Sequence, residues 1–225
     1  MLKSFDTILL DLHGTFMFDH DRFGDDQDYG KTFKHLGGTL PACEASVVLQ
    51  SLYDDLAMRY CDVEYQECFP SVEEALHRLW PNWASHEADN ELLVASFAHH
   101  ECGKIPTEYA VTVKALAAQF RVGLVSDIWA PKTLWLEELD RVGLTDAFSY
   151  LSFSSDHGVV KPSPKAFHHT LQKIGANMNK TVVIGDSVTR DLCGAKAAGL
   201  PCILVGGASH PEALGSVRTL LDFCL

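Results

Sequence analysis

Short apolar runs that end just before polar residues recur along this chain and predict buried β-strands. The clearest runs lie at 7–10, 122–125, 181–184 and 202–205, and a fifth, less cleanly bounded, lies at 148–153. Strands with one exposed face alternate apolar and polar residues, whereas these runs are continuously apolar. The pattern therefore favours strands that are buried on both faces, as in a parallel sheet.

Segments with helical patterning separate these runs. They lie at 107–119, 131–141, 163–173, 191–198 and 212–223. Thr107 can cap the first of them, and Pro131 and Pro164 suit the first turn of a helix. Alternating strands and helices predict a doubly wound α/β fold with a parallel, Rossmann-like sheet and right-handed crossovers.

The stretch from residue 16 to residue 103 interrupts this alternation. An acidic loop at 19–30 opens it, and helical patterns follow at 42–60, 71–80 and 90–100. Ser71 and Glu74 have the spacing of a capping box. The simplest account is a helical insertion at 16–103 between the two parts of the core, 1–15 and 104–225. The aromatic residues of the insertion are interpreted as helix packing; they are Tyr53, Tyr60, Trp80, Trp83 and Phe97.

Composition narrows the classes of partner. The 225 residues carry a net charge of −12, and 47% of them are hydrophobic, which is typical of globular proteins. A field of that sign repels a phosphate backbone, so no nucleic-acid polymer is expected as a partner. The apolar runs are too short to span a bilayer, and Asp6 and Asp11 interrupt the stretch where a signal peptide needs apolar residues. We therefore expect a cytoplasmic protein with no membrane partner.

Polar clusters follow three of the predicted strands directly. Asp11 follows the first, Ser126 and Asp127 the second, and Asp186 the third, with Asp191 close behind. In open α/β sheets ligands bind at this edge. Like charges brought together disfavour one another, and a divalent cation resolves that repulsion. Since Mg²⁺ prefers a few carboxylates completed by water and substrate phosphate, the sequence predicts a magnesium site.

Lys161 can bring a cation to the same edge. It lies in the segment VVKPSP, after the predicted strand at 148–153. One anionic nucleophile, one metal ion, one lysine and one hydroxyl make a site for phosphoryl transfer through an aspartyl-phosphate. A small phosphorylated molecule is therefore the expected partner, and the oligomeric state is left open.

The same residues resemble the haloacid dehalogenase-like superfamily. Four segments match that family's motifs in order and approximate spacing: DLHGT at 11–15, the strand end at Ser126, Lys161 in VVKPSP, and GDSVTRD at 185–191. The helical insertion resembles the family's helical cap, which follows the first motif. The resemblance implies a Rossmann-like core with a helical cap, and a hydrolase that acts through an aspartate.

The resemblance implies a role for each matching residue. Asp11 is the nucleophile that attacks phosphorus, and Lys161 neutralises both Asp11 and the phosphate. Ser126 hydrogen-bonds the transferring phosphoryl group, with help from the backbone around Asp127. Thr15 steadies the loop that carries Asp11.

The resemblance also implies the metal ligands. Asp11 and Asp186 bind Mg²⁺, residue 13 contributes its backbone carbonyl, and Asp191 acts through water or behind the direct ligands. The family's phosphatases usually have an acid–base aspartate at position 13, whereas this chain has His13. Histidine can do this work, with an unperturbed pKa of about 6.5, although Mg²⁺ and Lys161 favour its neutral form. Since acid–base assistance is typically worth about 10²–10⁴-fold, a poor substitute leaves a slow enzyme rather than an inactive one.

Other functions stay open beside the leading one, a magnesium-dependent phosphatase of a small phosphorylated metabolite. A 2-haloacid dehalogenase of the same family uses this nucleophile without aspartate at position 13, but it needs no metal, and Asp186 favours one. Carbon–phosphorus hydrolysis in the family uses a cap lysine, for which Lys31 and Lys34 are the candidates. A binding or regulatory protein would keep the phosphate pocket and lose efficient turnover through His13.

Overall fold

Six parallel strands form the sheet at the centre of the computed structural model, which describes residues 2–24, 26–80 and 87–223. In chain order they are β1 (Thr7–Leu10), β2 (Arg121–Ser126), β3 (Tyr150–Phe153), β4 (Thr181–Gly185), β5 (Cys202–Leu204) and β6 (Gly215–Ser216). Their spatial order is β3-β2-β1-β4-β5-β6. This order and the parallel pairing confirm the predicted doubly wound sheet.

Eight α-helices lie in the described part of the chain. Four belong to the insertion after β1: α1 (Tyr29–His35), α2 (Ala42–Tyr60), α3 (Val72–Leu79) and α4 (Glu87–Glu101). Four belong to the core: α5 (Thr107–Ala117), α6 (Thr133–Arg141), α7 (Pro164–Ile174) and α8 (Cys193–Ala197), the last preceded by a π-helical turn at Val188–Leu192. None of the described helices combines the length and the apolar character needed to cross a membrane.

The central strand is buried on both faces. Ile8, Leu9 and Leu10 of β1 are inaccessible to solvent. Leu9 packs with residues of α7 and α8 in one apolar cluster, whereas Ile8 and Leu10 belong to a second cluster. Successive side chains of a strand point to opposite faces, so a continuous apolar run requires cover on both faces.

The parallel register brings the carboxyl ends of three neighbouring strands to one edge. Leu10 pairs with Leu124 of β2 on one side and with Ile184 of β4 on the other. The next residue, Asp11, continues the ladder by donating its backbone N–H to the Ile184 carbonyl at 2.9 Å. The polar residues that follow these strands therefore meet at this edge.

The two ends of the insertion lie side by side. Phe18 and Lys104 form an antiparallel bridge, in which each backbone N–H donates to the other residue's carbonyl, at 2.8 and 2.7 Å. Within the insertion, Ser71 and Glu74 form the predicted capping box, and both reciprocal hydrogen bonds are present. A helical insertion after β1 is confirmed, whereas its bounds at residues 16 and 103 stay a prediction.

Two predicted helices near the carboxyl end differ from the structure. The pattern at 212–223 predicts a helix, but the chain forms β6 and a short 3-10 turn at Leu220–Phe223. The prediction was wrong because the sheet edge offers partners: Leu214 and Val217 donate their backbone N–H groups to carbonyls of β5 at 2.8 and 2.9 Å. The helix expected at 191–198 is divided between the π-helical turn and α8.

Two helix starts also differ from the prediction. Helix α1 begins inside the segment predicted as an acidic loop, where Asp28 accepts the backbone N–H of Lys31 at 2.8 Å and so caps the helix. At the start of α5, Pro106 occupies the N-cap position and Thr107 is already helical. These shifts leave the placement of the predicted site residues unchanged.

Candidate active site

Lys161 sits between two carboxylates at the carboxyl edge of the sheet. Its Nζ donates to Asp11 Oδ1 at 2.5 Å and to Asp191 Oδ1 at 2.8 Å, and all three side chains are buried. Burial alone would lower the pKa of Lys161, but the charges of Asp11 and Asp191 outweigh it and raise that pKa well above its usual value. The lysine is therefore a fixed cation in this network.

Thr15 completes the surroundings of the Asp11 carboxylate. Its hydroxyl donates to Asp11 Oδ2 at 2.8 Å, so both carboxylate oxygens accept a hydrogen bond. The turn that brings Thr15 back is made by backbone bonds from residues 15–17 to the Leu12 carbonyl. The carboxylate of the expected nucleophile is thus held in one orientation.

The π-helical turn after β4 positions Asp191. Ser187 stands at its N-cap, and the Ser187 backbone N–H donates to Asp191 Oδ2 at 3.0 Å. The other oxygen accepts from Lys161, so the carboxylate has a donor on both sides. Gly185, the last residue of β4, makes this approach possible, because a Cβ there would lie 2.3 Å from the Asp191 carboxyl carbon.

Three carboxylates converge beside this network. Oxygen atoms of Asp11, Asp186 and Asp191 lie within 4.8 Å of one another. Gly14 leaves room for Asp186, since its φ is +71° and a Cβ there would lie 2.2 Å from Asp186 Oδ2. Burial, together with the charge of Asp11, raises the pKa of Asp186 to about 6. These three residues could hold a divalent cation, which would relieve their repulsion.

Ser126 and Asp127, at the end of β2, have different surroundings. The Ser126 hydroxyl is buried, and no residue within 2–24, 26–80 or 87–223 hydrogen-bonds it. The Asp127 carboxylate accepts the Tyr60 hydroxyl at 2.7 Å and the Lys161 backbone N–H at 3.0 Å. Ser126 therefore offers an unused hydrogen-bonding group at the sheet edge, while Asp127 joins the insertion to the Lys161 segment.

His13 occupies the position where the resemblance implies an acid–base residue. Its Nε2 accepts a hydrogen bond from the indole N–H of buried Trp135 at 2.9 Å. Because indole is only a donor, this Nε2 carries no proton. Burial, followed by the charges of His20 and Lys161, lowers the pKa of His13 well below its usual value. The ring is therefore neutral, with its proton on Nδ1.

A second group of ligand-type atoms lies next to His13. Ring nitrogens of His13 and His20 and a carboxylate oxygen of Asp21 are within 4.8 Å of one another. The two rings are stacked, with centroids 4.5 Å apart and planes 10° apart. Nitrogen lone pairs lie in the ring planes, so stacked imidazoles direct them side by side rather than at one ion. The arrangement favours ring stacking over metal binding.

A pocket of about 170 Å³ opens between the sheet edge and the insertion. The core contributes the charged network, and the insertion contributes the opposite wall. Lys161 and Arg190 supply the lysine and arginine side chains found among its described lining residues. That lining consists of Asp11, His13, His20, Asp21, Tyr60, Glu101, Asp127, Trp129, Lys161, Asp186, Ser187, Arg190 and Asp191.

Tyr60 is a site residue that the sequence interpretation assigned to packing. Its ring does pack, against Phe69 and Trp129, but its hydroxyl reaches Asp127 and its ring lines the pocket. The interpretation of Tyr60 as a packing residue is therefore confirmed for its ring, but it missed the hydrogen bond of the hydroxyl at the pocket. Trp83, which belongs to the same set, lies outside the described residues.

Arg190 and Glu101 also line the pocket and are absent from the predicted set. Arg190 lies inside GDSVTRD, directly before Asp191, so its place in a matching motif could have indicated a role. Glu101 ends α4 and accepts the backbone N–H groups of Trp129 and Ala130. Nothing in the sequence near Glu101 distinguishes it from the other acidic residues of the insertion.

Comparison with known proteins places these observations in a family. The family model for haloacid dehalogenase-like hydrolases matches residues 5–199 of this chain. A phosphoglycolate phosphatase of Yersinia pestis is 31% identical over 156 residues, an alignment that covers 64% of this chain and 64% of that relative. Because part of that relative's length has no counterpart in the alignment, its activity is not transferred directly.

Solved structures agree on the fold. A 2-haloacid dehalogenase from Pseudomonas syringae pv. Tomato DC3000 matches with a TM-score of 0.63 and 18% identity, over 97% of this chain and 96% of that chain. YfnB from Bacillus subtilis, in a structure bound to magnesium, matches with a TM-score of 0.58 and 19% identity over the same shares. At these identities the structures show the fold alone. Together with the family model, which covers most of the sequence, they confirm the resemblance: the chain belongs to the haloacid dehalogenase-like hydrolases.

Proposed function

We propose that the chain is a magnesium-dependent phosphatase that hydrolyses a small phosphorylated metabolite through an aspartyl-phosphate on Asp11. The observation that carries the proposal is the Asp11–Lys161 pair at 2.5 Å, beside Asp186 and Asp191. A carboxylate needs such a neighbouring cation to approach a phosphate dianion as a nucleophile. Similarity to proteins named phosphatases supports the same reaction class.

The proposed reaction has two displacements at phosphorus. In the first, an Asp11 oxygen attacks phosphorus, the bond between phosphorus and the ester oxygen breaks, and the leaving oxygen takes a proton from solvent water. In the second, water attacks the phosphorus of the aspartyl-phosphate and the bond between phosphorus and the Asp11 oxygen breaks. Inorganic phosphate leaves, the proton lost by the water passes to solvent, and the Asp11 carboxylate is restored. Lys161 neutralises charge throughout, and the free Ser126 hydroxyl is available to the transferring phosphoryl group.

The residues present fit a magnesium ion. Asp11 and Asp186 offer direct oxygen ligands, and the backbone carbonyl of His13 offers another. The family resemblance implies that Asp191 acts through water or behind the direct ligands, and its hydrogen bonds from Lys161 and Ser187 suit that place. An all-oxygen donor set suits Mg²⁺, and when bound the ion supplies positive charge that offsets the charge of the phosphate.

His13 limits the rate in this scheme. The hydrogen bond from Trp135 occupies Nε2, so the neutral ring keeps only its Nδ1–H for a ligand. A neutral imidazole N–H supports a leaving oxygen as a hydrogen-bond donor, but it is a poor acid. We therefore infer slow turnover, since efficient acid–base assistance is worth about 10²–10⁴-fold.

The decisive experiment is phosphate release from a panel of small phosphate esters and an aryl phosphate, with Mg²⁺ and with a chelator. Release is expected only with Mg²⁺, and Asp11→Asn is expected to lower the rate by more than about 10³-fold. Asp6→Asn, at an exposed position just before β1, is the matched control and should keep the wild-type rate. Phosphate release at the wild-type rate in Asp11→Asn, or at the same rate with and without the chelator, would contradict the proposal.

A second candidate function, phosphate binding without efficient turnover, is favoured by the Trp135 hydrogen bond to His13. His13→Asp separates the two. A rate gain of about 10-fold or more would show that histidine compromises the natural enzyme, whereas a loss would show that histidine is used in catalysis. If no ester is hydrolysed, a haloacid assay without metal and a phosphate-binding measurement decide between dehalogenation and binding.

A further inference from the structure

Tyr60 links the insertion to the core at the active site. It is the last residue of α2, and its hydroxyl donates to Asp127 Oδ2 at 2.7 Å across the pocket. Burial, together with the charge of Asp127, raises the pKa of Tyr60 well above its usual value, so the phenol stays protonated and remains a donor. The hydrogen bond therefore has a charged acceptor and a neutral donor, a strong combination.

Arg190 makes a second link from the same residue. Its guanidinium lies over the Tyr60 ring at 3.6 Å from the centroid, within the range of a cation–π contact. One amino group donates to the Tyr60 carbonyl at 2.6 Å, and the other donates to the Lys161 carbonyl at 2.6 Å. Arg190 thus touches the end of α2 and the backbone of the site lysine at once.

Asp127 and Arg190 hold Lys161 from its two sides. The Asp127 carboxylate accepts the Lys161 backbone N–H, at 3.1 Å to Oδ1 and 3.0 Å to Oδ2, while Arg190 donates to the Lys161 carbonyl. The side chain of the same lysine extends to Asp11 at 2.5 Å. Both groups that fix the Lys161 backbone are therefore in contact with Tyr60.

From this arrangement we propose that Tyr60 is a positioning residue, through which the insertion fixes the backbone of Lys161 by way of Asp127 and Arg190. The role in turnover rests on the proposed phosphatase function. Without Tyr60 in this place, Asp127 would lose a donor and Arg190 would lose its stacking partner. The Lys161 segment is then held less firmly, and the ammonium group no longer meets Asp11 and phosphate in one geometry.

A mispositioned lysine changes the chemical step more than substrate binding. A misplacement of about 1 Å can cost about 10²-fold in rate, whereas a charge in the pocket still attracts phosphate. Tyr60→Phe is therefore expected to lower kcat about 10-fold and to change KM less than about 2-fold. A purely structural role would instead lower the melting temperature or raise KM.

Tyr53→Phe is the matched control. Tyr53 lies on the same helix and packs its ring against Phe23 and Trp129, but it is not among the residues that line the pocket. Tyr53→Phe also removes one phenolic hydroxyl from this aromatic cluster, but one outside the pocket, so kcat should stay at the wild-type value. In an Asp127→Ala background, Tyr60→Phe should lower kcat by less than a further factor of about 2, because the acceptor of the Tyr60 hydroxyl is already absent.

Hydrogen exchange tests the coupling without any enzyme activity. The Lys161 amide N–H is bonded to Asp127, so Tyr60→Phe should speed its exchange about 10-fold, and Tyr53→Phe should leave it unchanged. If both variants match wild type in kcat and in Lys161 exchange, the proposed coupling is overturned. If wild type hydrolyses no ester, the phosphatase proposal fails, while the exchange of the Lys161 amide still decides whether Tyr60 positions it.

Discussion

The two walls of the pocket are built differently. On the core wall, Asp11, Lys161 and Asp191 satisfy one another through side-chain hydrogen bonds of 2.5 and 2.8 Å. On the insertion wall, Glu101 accepts two backbone N–H groups, and Asp21 lies on a loop with about half of its side chain exposed. The core wall is a closed network of opposite charges, whereas the insertion wall carries carboxylates without a lysine or arginine among its described lining residues.

The loop that carries Asp21 shows how the insertion wall is held. Asp19 and Asp21 have φ angles of +54° and +51°, the left-handed region that non-glycine residues rarely adopt. Such strain costs on the order of 1 kcal/mol and persists only where other contacts hold it. Arg22 supplies these contacts by donating to the backbone carbonyls of Asp19, His99 and Cys102. Contacts within the insertion therefore shape the loop that carries Asp21.

The largest expected effect comes from opening the core network. Lys161→Met leaves Asp11 and Asp191 buried without their shared cation, so the free energy of unfolding in chelator should fall by about 3–5 kcal/mol. Lys165→Met is the control, because Lys165 and Glu67 form an exposed pair, with side chains 63% and 49% accessible. Its loss should lower the free energy of unfolding far less, since solvent screens exposed pairs. Denaturant titration measures both. Equal losses would show that the buried network contributes no more to stability than the exposed ion pair.

A smaller effect is expected at Glu101 on the insertion wall. Burial, followed by the charge of Asp21, raises the pKa of Glu101 from 4.5 to about 8. The folded state therefore binds the proton more tightly, and this contribution to stability is complete below pH 4.5 and lost as the pH rises through about 8. Between pH 5 and pH 9 the free energy of unfolding should therefore fall by about 2–4 kcal/mol because of Glu101.

Unfolding measured against pH tests this expectation. Glu101→Gln should make the free energy of unfolding less dependent on pH. The stability of the variant relative to wild type should therefore increase as the pH rises. Glu108→Gln replaces another helical glutamate, exposed on α5, and should follow the wild-type curve. A wild-type curve that does not decline over this range would contradict the burial of an unpaired charge on the insertion wall.

The smallest expected effect concerns charge on the substrate. With the Asp21 carboxylate on the insertion wall, a second negative charge in the alcohol part of the ester should be disfavoured. 2-Hydroxyethyl phosphate and phosphoglycolate differ in this charge at similar size, and kcat/KM should be about 10-fold higher for the former. Asp21→Asn should narrow that ratio, and Asp26→Asn, an exposed neighbour outside the pocket lining, should not. Preference for phosphoglycolate would show that this wall does not repel anions.

The core wall could be predicted from the sequence because its geometry follows from the strands. Once 7–10, 122–125 and 181–184 are read as parallel strands, Asp11, Ser126 and Asp186 must follow them at one edge. The contact of Lys161 with Asp11 was expected from the family resemblance alone, and its contact with Asp191 could not be predicted. That Lys161 bridges Asp11 and Asp191 depends on the path of a loop, which local pattern does not encode.

The insertion wall was largely missed for a different reason. Tyr60 and Glu101 both stand at helix ends, where their roles depend on how α2 and α4 pack against the core. Helical periodicity identifies buried faces, but it does not say which residue of a helix end meets a partner from another layer. The error at 212–223 has the same origin, since pairing with β5 overrode a helical pattern.

The bridge between Phe18 and Lys104 has a consequence for protein engineering. The chain leaves and rejoins the core at adjacent points. An inserted segment of any length therefore only needs to have its two ends close together. Doubling the length of a flexible closed segment costs only about 0.6 kcal/mol, so lids of other sizes can be spliced in at this junction. The junction is thus a suitable fusion point for chimeras that exchange the insertion and keep the core.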